Sequence, residues 1–110
     1  MHNPNTEVPE SSAAYLKVEF RDRDGKLAVP FDIWYEIKDL TTNRQIRPLT
    51  NFGTPASKIT IQLTPTDNAL QSTANRRERR SITVIANKAL PDQLLDEFRY
   101  AVLNVRSHPV

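Results

Sequence analysis

The side chains that most often carry enzymatic chemistry are scarce in this chain and lie near its ends. The 110 residues include no cysteine and two histidines, His2 and His108. Histidine is the side chain that most readily acts as a general base near neutral pH, and a serine triad needs one inside the fold. Acidic pairs such as Asp22 with Asp24 fall at a turn, where carboxylates are normally solvated. The sequence therefore predicts a protein that is not an enzyme and that needs no cofactor.

One segment begins like a calcium-binding loop. The run Asp22-Arg23-Asp24-Gly25 places two carboxylates next to a glycine, as the first part of such a loop does. Counted from Asp22, however, the twelfth position, where a bidentate glutamate belongs, is Ile33. The segment is therefore predicted to be a tight hairpin turn without a metal, because Asp-Gly readily adopts positive backbone angles.

The densest charge in the chain is the run Arg76, Arg77, Arg79 and Arg80, interrupted by Glu78. Guanidinium groups pair with phosphate or carboxylate, so this run is a candidate patch for nucleic acid or an acidic partner. The alternative, which we favour, is the solvated entry to a strand with alternate arginines exposed. Nucleic acid is not favoured as a partner, because no aromatic residue is interleaved to stack on bases and the net charge is only +2.

The elements that position these residues follow from a two-residue alternation of apolar and polar side chains. It is clearest where Ile59, Ile61 and Leu63 share one side of an extended segment, which predicts a half-buried strand. The same period recurs in residues 15–21, 31–38, 45–47, 81–86 and 97–105. The sequence therefore predicts an all-β, antiparallel two-sheet sandwich of the immunoglobulin or fibronectin type III kind, with six to seven strands. A small barrel is the alternative, but two glycines provide few of the kinks that barrel corners use.

Two local assignments follow from the same pattern. In residues 31–38, the row that begins with Phe31 and Ile33 is predicted to be core, while Trp34, the only tryptophan, faces the opposite way. An indole among charged neighbours lies either at the margin of the sandwich, which we favour, or in a contact with a partner. Pro48 is predicted to end a short strand, and residues 49–56 are predicted to form a loop.

The domain organisation is predicted to be simple. A chain of this length can bury about two thirds of its unfolded surface in one core. We predict a flexible N-terminal arm over residues 1–13, a sandwich domain over residues 14–106 and a C-terminal tail over residues 107–110. No apolar run approaches the roughly 20 residues that span a bilayer, and the N-terminus has no basic and apolar signal pattern. The sequence thus predicts no signal peptide, no transmembrane segment and no membrane partner.

Three segments in the second half resemble a known family: residues 59–70 (ITIQLTPTDNAL), 78–86 (ERRSITVIA) and 96–104 (DEFRYAVLN). Residues 34–39 (WYEIKD) fit more loosely. The chain is similar here to small immunoglobulin-like structural proteins of tailed bacteriophages and prophages, encoded among head and tail genes. The resemblance implies a virion location after synthesis in the bacterial cytoplasm, other virion proteins as partners, and a homo-oligomeric ring or array.

Two functions remain open from the sequence. The first is a non-enzymatic virion subunit at the head–tail interface, in the tail or in decoration, which docks on or bridges its neighbours through the arm, Trp34 and the arginine run. The second is a soluble binding module that grips a glycan or an acidic polymer with loops at one end, namely residues 50–57 and 71–80. Partner-binding candidates are Trp34, Arg76, Arg77, Arg79 and Arg80.

Overall fold

The computed structural model describes residues 7–105, in which all seven elements are β-strands. In chain order they are β1 (Glu7–Pro9), β2 (Ala14–Glu19), β3 (Ile33–Asp39), β4 (Arg44–Asn51), β5 (Lys58–Leu63), β6 (Arg77–Ala86) and β7 (Leu94–Leu103). The prediction of an all-β chain with six to seven strands is confirmed.

The strands form two sheets. Five strands pair in the order β1-β7-β6-β3-β4, and β2 pairs with β5 in the second sheet. All neighbours are antiparallel except β1, which runs parallel to β7 with Glu7 opposite Ala101. The prediction that all strands pair antiparallel is therefore wrong for β1 and β7. The chain leaves β1 at Pro9 and crosses to the other sheet to begin β2, so it has no hairpin that would reverse it beside β7.

The predicted flexible arm over residues 1–13 is wrong from Glu7 onward. Val8 is 7% exposed and belongs to the core. After β1, the Glu10 N–H donates to the Leu103 carbonyl at 2.8 Å and the Ser11 N–H donates to the Asn68 carbonyl at 2.9 Å. One apolar residue and a few backbone bonds fix this segment, and composition alone does not reveal them. Residues 1–6 and 106–110, which include both histidines and the predicted tail, lie outside the described residues.

One core lies between the sheets, as period-two burial predicts. Ile59, Ile61 and Leu63 are buried on β5, and both sheets contribute to the same apolar cluster. The prediction that Phe31 belongs to the core is wrong, because its side chain is 75% exposed. It follows Pro30 and precedes β3, and its N–H donates to the Asn87 side chain at 2.7 Å, so it stands outside the ladder that orients the core row.

Strand β4 continues through Pro48 to Asn51, where a loop was predicted. Tyr35 lies opposite Thr50 while Ile37 lies opposite Arg47, so β4 contains one more residue than β3 between these pairs. That is a β-bulge, and β4 is at the edge of its sheet. A proline without an N–H is tolerated at such a place.

The connections gather at two ends of the sandwich. One end, called the polar end below, contains residues 10–13, 40–43 and 64–76. The other, called the apolar end, contains residues 20–32, 52–57 and 87–93. Backbone bonds tie each group together: Phe52 to Ile33 and Phe20 to Ser57 at the apolar end, Leu40 to Arg79 and Asn104 to Arg76 at the polar end. Residues 50–57 and 71–80 therefore lie at opposite ends, and the expectation that they form one binding face is wrong.

Candidate functional site

The four arginines predicted as a partner patch do not share a surface. Arg76, Arg77 and Arg79 are exposed, and Arg77 lies 3.6 Å from the Glu7 carboxylate. Arg80 is 0% exposed. Alternation along β6 explains the difference, because Arg77 and Arg79 point outward while Arg80 points into the sandwich. Arg80 is therefore removed from the candidate partner-binding residues.

Arg80 instead lies at the centre of a buried cluster at the polar end. Its Nε donates to Asp39 at 3.0 Å and its Nη2 to Glu78 at 2.7 Å. The other donors reach backbone: Nη1 to the Asp67 carbonyl at 2.6 Å and Nη2 to the Ala69 carbonyl at 2.9 Å. The signal that could have revealed it is spacing, since Glu78 and Arg80 share the face of Ile82.

The Glu78 carboxylate holds the following connection in place. It accepts bonds from the N–H groups of Gln71 and Ser72, at 2.9 and 3.0 Å, and from the Asn75 side-chain amide at 2.8 Å. Burial by itself would raise the pKa of Glu78, but these bonds and the one from Arg80 favour the charged form and leave its pKa below the ordinary value.

Two further groups extend the cluster. Asp67 accepts from the Arg47 guanidinium at 2.6 Å and from the Thr64 N–H at 2.8 Å. Tyr100 donates its hydroxyl to the Asn68 side-chain oxygen at 2.8 Å. Burial raises the pKa of Tyr100 to about 12, against the opposing effect of Arg80. The polar network is defined here as Asp39, Asp67, Asn68, Glu78, Arg80 and Tyr100, all of which are buried.

The polar network is suited to holding chain segments rather than to reacting with a substrate. Arg80, Glu78 and Asp39 have no exposed surface, and each is hydrogen-bonded to other groups of the fold. Within residues 7–105, no group of three His, Cys, Asp or Glu residues is arranged to hold a metal ion. The same residues contain no helix that is long and apolar enough to cross a membrane.

A candidate binding surface lies at the apolar end. Five large apolar side chains are exposed in its two longest connections and at the start of β7. They form the apolar end surface: Leu27, Val29, Phe31, Leu90 and Leu94. Isolated exposed apolar residues are common, but a contiguous group is typical of an interaction site.

Two hydrogen bonds hold together the connections that contain this surface. The Phe31 N–H bonds to Asn87, and the Lys88 N–H bonds to the Asp32 carboxylate at 2.8 Å, so the β2–β3 connection is tied to the β6–β7 turn. An open groove of about 670 Å³ runs between them, with Val29, Pro30 and Leu94 in its lining. Sequence reasoning missed this surface because it assigned Phe31 to the core.

Trp34 lies on the outer face of the five-stranded sheet, opposite Ile85 of β6. It is half-buried, and the Lys88 ammonium lies 5.2 Å from its ring centroid. Its indole N–H is buried without a hydrogen-bond partner. Whether it packs as a margin residue or touches a partner stays a prediction.

Comparison of the chain with models of protein families, with curated proteins and with solved structures finds no match in any of the three.

Proposed function

We propose that this protein is a non-enzymatic structural subunit of a tailed-bacteriophage virion, in which an immunoglobulin-like sandwich docks on or bridges neighbouring virion proteins. The observation that carries the docking role is the apolar end surface. The virion setting rests on the resemblance of residues 59–70, 78–86 and 96–104 to small proteins of that kind.

The strand pairing supports the immunoglobulin-like part of the proposal. In that fold, the second and fifth lettered strands share one sheet, and the third, sixth and seventh share the other. Here β2 pairs with β5, while β3, β6 and β7 are neighbours in the other sheet. If β1 to β7 take the places of strands A, B, C, C′, E, F and G, every pairing except that of β1 with β7 has its counterpart in that scheme.

The apolar end surface supports docking for an energetic reason. Fully burying one leucine, valine or phenylalanine side chain contributes about 1.5–3 kcal/mol. In the isolated chain this gain is not realised for Val29 and Phe31, which are 65% and 75% exposed. A partner that covers them would realise it, as the anchors of protein interfaces do.

The test is incorporation into particles. The tagged full chain is produced in a host while a related prophage is induced, and particles are purified by density. We expect the chain in the particle fraction, and Phe31→Ala to reduce its incorporation severalfold. Tyr15→Ala is the matched control, because Tyr15 is an aromatic residue with 64% exposure on another surface. A chain that never enters particles, or equal loss in both variants, would contradict the proposal.

A binding module for an acidic polymer is the second candidate, and the exposure of Arg76, Arg77 and Arg79 favours it. Salt-sensitive retention on heparin that disappears when all three become alanine would support it, since each lost phosphate or sulfate contact flattens the salt dependence. Retention that those changes leave intact would exclude this surface.

A further inference from the structure

The outer face of the five-stranded sheet carries an ordered pattern of side chains. Strand register places them in four rows across β3, β6 and β7. From the apolar end these are the Trp34 row (Trp34, Ile85, Leu95), the Glu36 row (Glu36, Thr83, Glu97), the Lys38 row (Lys38, Ser81, Arg99) and the Arg79 row (Arg79, Ala101). An acidic row therefore lies beside a basic one, with an apolar row beyond.

We infer that this face is a homodimer interface, on which a second copy packs face to face. Its two-fold axis runs across the strands, between the Glu36 row and the Lys38 row. Sheets that pack in this way lie about 10 Å apart with their strands roughly aligned. Because the face binds its own copy, the inference does not depend on the virion role.

Charge complementarity selects the second copy as the occupant. Rotation about this axis keeps β3 over β3 and exchanges the two charged rows. Glu36 then lies opposite Lys38 of the second copy, and each such contact occurs twice. Glu97 and Arg99, which pair with each other at 2.9 Å within one chain, lie opposite Arg99 and Glu97 of the second copy, so the two pairs form a four-charge network. A face that opposes its own pattern with opposite charges is self-complementary, as a two-fold interface requires.

The other face-to-face arrangement is disfavoured by the same charges. A two-fold axis along the strands would place β3 over β7 of the second copy. Glu36 would then lie opposite Glu97, and Lys38 opposite Arg99, so every charged contact would join like charges. Such juxtapositions oppose association. The pattern therefore specifies one orientation.

The remaining rows fit the first arrangement. The Trp34 row lies over the Arg79 row of the second copy, in which Arg79 is exposed and Ala101 is already buried within its own chain. Leu95 is 63% exposed and Trp34 is half-buried, so both can lose further surface. Arg79 of the second copy lies opposite Ile85, because β6 packs over β6. We expect association at micromolar to millimolar protein concentration, weaker than that of a permanent dimer.

The test is sedimentation equilibrium on the full chain with charge-reversal variants. The wild type is expected to form a concentration-dependent dimer. Glu36→Lys and Lys38→Glu should each weaken dimerisation by about tenfold or more, because each replaces two attractive contacts with repulsive ones. An equimolar mixture of the two variants should restore the dimer, since every contact at these positions then joins opposite charges.

Controls separate this inference from folding defects and from the proposed function. Lys17→Glu makes the same charge change on an exposed position of β2 and should leave dimerisation unchanged. Phe31→Ala should also leave it unchanged. A wild type that stays monomeric at millimolar concentration would overturn the inference, and so would a mixture that stays monomeric. Tighter dimerisation of Glu36→Lys would overturn the proposed axis, because only the alternative orientation brings Glu97 opposite that position.

Discussion

The two ends of the sandwich are built on opposite principles. At the polar end, β6 sends Glu78 and Arg80 inward, and their charges are bound by the connections that pass over them. At the apolar end, the connections expose leucine, valine and phenylalanine to solvent. The polar end buries charged side chains and hydrogen-bonds them within the fold. The apolar end leaves apolar side chains in water, where a partner could bury them. The comparison separates residues that stabilise the fold from residues available to a partner.

Buried charge at the polar end need not add net stability. Replacing a buried ion network by apolar residues of similar volume is often neutral or stabilising, whereas removing one partner is strongly destabilising. The network instead fixes geometry, because Arg80 and Glu78 between them bind Asp67, Ala69, Gln71 and Ser72. These contacts fix residues 67–72, the middle of the long β5–β6 connection. We therefore expect the largest stability effects at this end.

Arg80→Met should have the largest effect. It leaves the carboxylates of Asp39 and Glu78 buried without their charge partner, which costs about 3–5 kcal/mol. Urea denaturation followed by tryptophan fluorescence would measure the loss in free energy of unfolding. Arg79→Met is the matched control, because Arg79 is the exposed neighbour on the same strand, and it should change stability by less than about 0.5 kcal/mol. If both variants lost the same free energy of unfolding, the conclusion that only the inward face of β6 stabilises the fold through Arg80 would be wrong.

Glu78→Gln should have the next largest effect and should change the pH dependence. The new amide directs a donor toward the N–H groups of Gln71 and Ser72, so we expect a loss of about 2 kcal/mol near neutral pH. The pKa of Glu78 lies below its ordinary value of 4.5. Its stabilising contribution is thus fully present above that value and is lost as the pH falls through the folded-state pKa.

The measurement is the free energy of unfolding at a series of pH values from neutral to acid. The gap between wild type and Glu78→Gln should narrow as the pH falls below the ordinary carboxyl range. Glu97→Gln is the comparison, since the bond from Ser81 likewise lowers the pKa of Glu97, although its side chain is 30% exposed. A gap for Glu78→Gln that is constant with pH would contradict the assigned pKa direction.

Tyr100→Phe should have a moderate effect. It removes the hydroxyl that donates to Asn68 and leaves that buried amide oxygen with one partner fewer, at a cost of about 1–2 kcal/mol. The pKa of Tyr100 is raised to about 12, so the contribution of the neutral phenol is present below its ordinary pKa of 10.0 and is lost as pH rises toward the folded value. We therefore measure the free energy of unfolding of each protein from neutral to alkaline pH. The wild type should begin to lose stability, compared with its own value at neutral pH, at a lower pH than Tyr100→Phe does.

The core positions of the central strands could be predicted from the alternation of apolar and polar residues. Features that depend on contacts between residues distant in sequence could not. The rows Ile59, Ile61, Leu63 and Ile33, Tyr35, Ile37 are buried as expected, because side chains on a strand alternate strictly. The same rule applied to residues 78–86 would have turned Arg80 inward, but a run of arginines was interpreted as solvated. Glu78, two residues away on the same face, is the one partner that the local pattern could indicate. The others, Asp39 and residues 67–69, are distant in sequence, so the pattern does not show that a buried guanidinium would be satisfied.

The strands at the margins were predicted less well for a related reason. β1 was missed, because Val8 is its only buried side chain. β4 was predicted only over residues 45–47, because Pro48 interrupts the pattern that marks a strand. Backbone pairing with β7 and β3 makes them strands. Phe31 shows the converse, since it continues the apolar period of β3 in sequence but lies before the ladder begins. Periodicity therefore predicts central strands well and strand ends poorly.

Phe31→Ala should have the smallest effect on stability and so gives the sharpest test of the apolar end. A side chain with 75% exposure loses little burial on folding, so its removal should change the free energy of unfolding by less than about 0.5 kcal/mol. Phe98→Ala is the matched contrast, because Phe98 is buried and its truncation should cost about 3–5 kcal/mol. A loss near that size for Phe31→Ala would mean that the apolar end surface supports the fold. If Phe31→Ala keeps the stability of the wild type but no longer enters particles, Phe31 contacts the partner. Its loss would then affect only contacts made outside this chain.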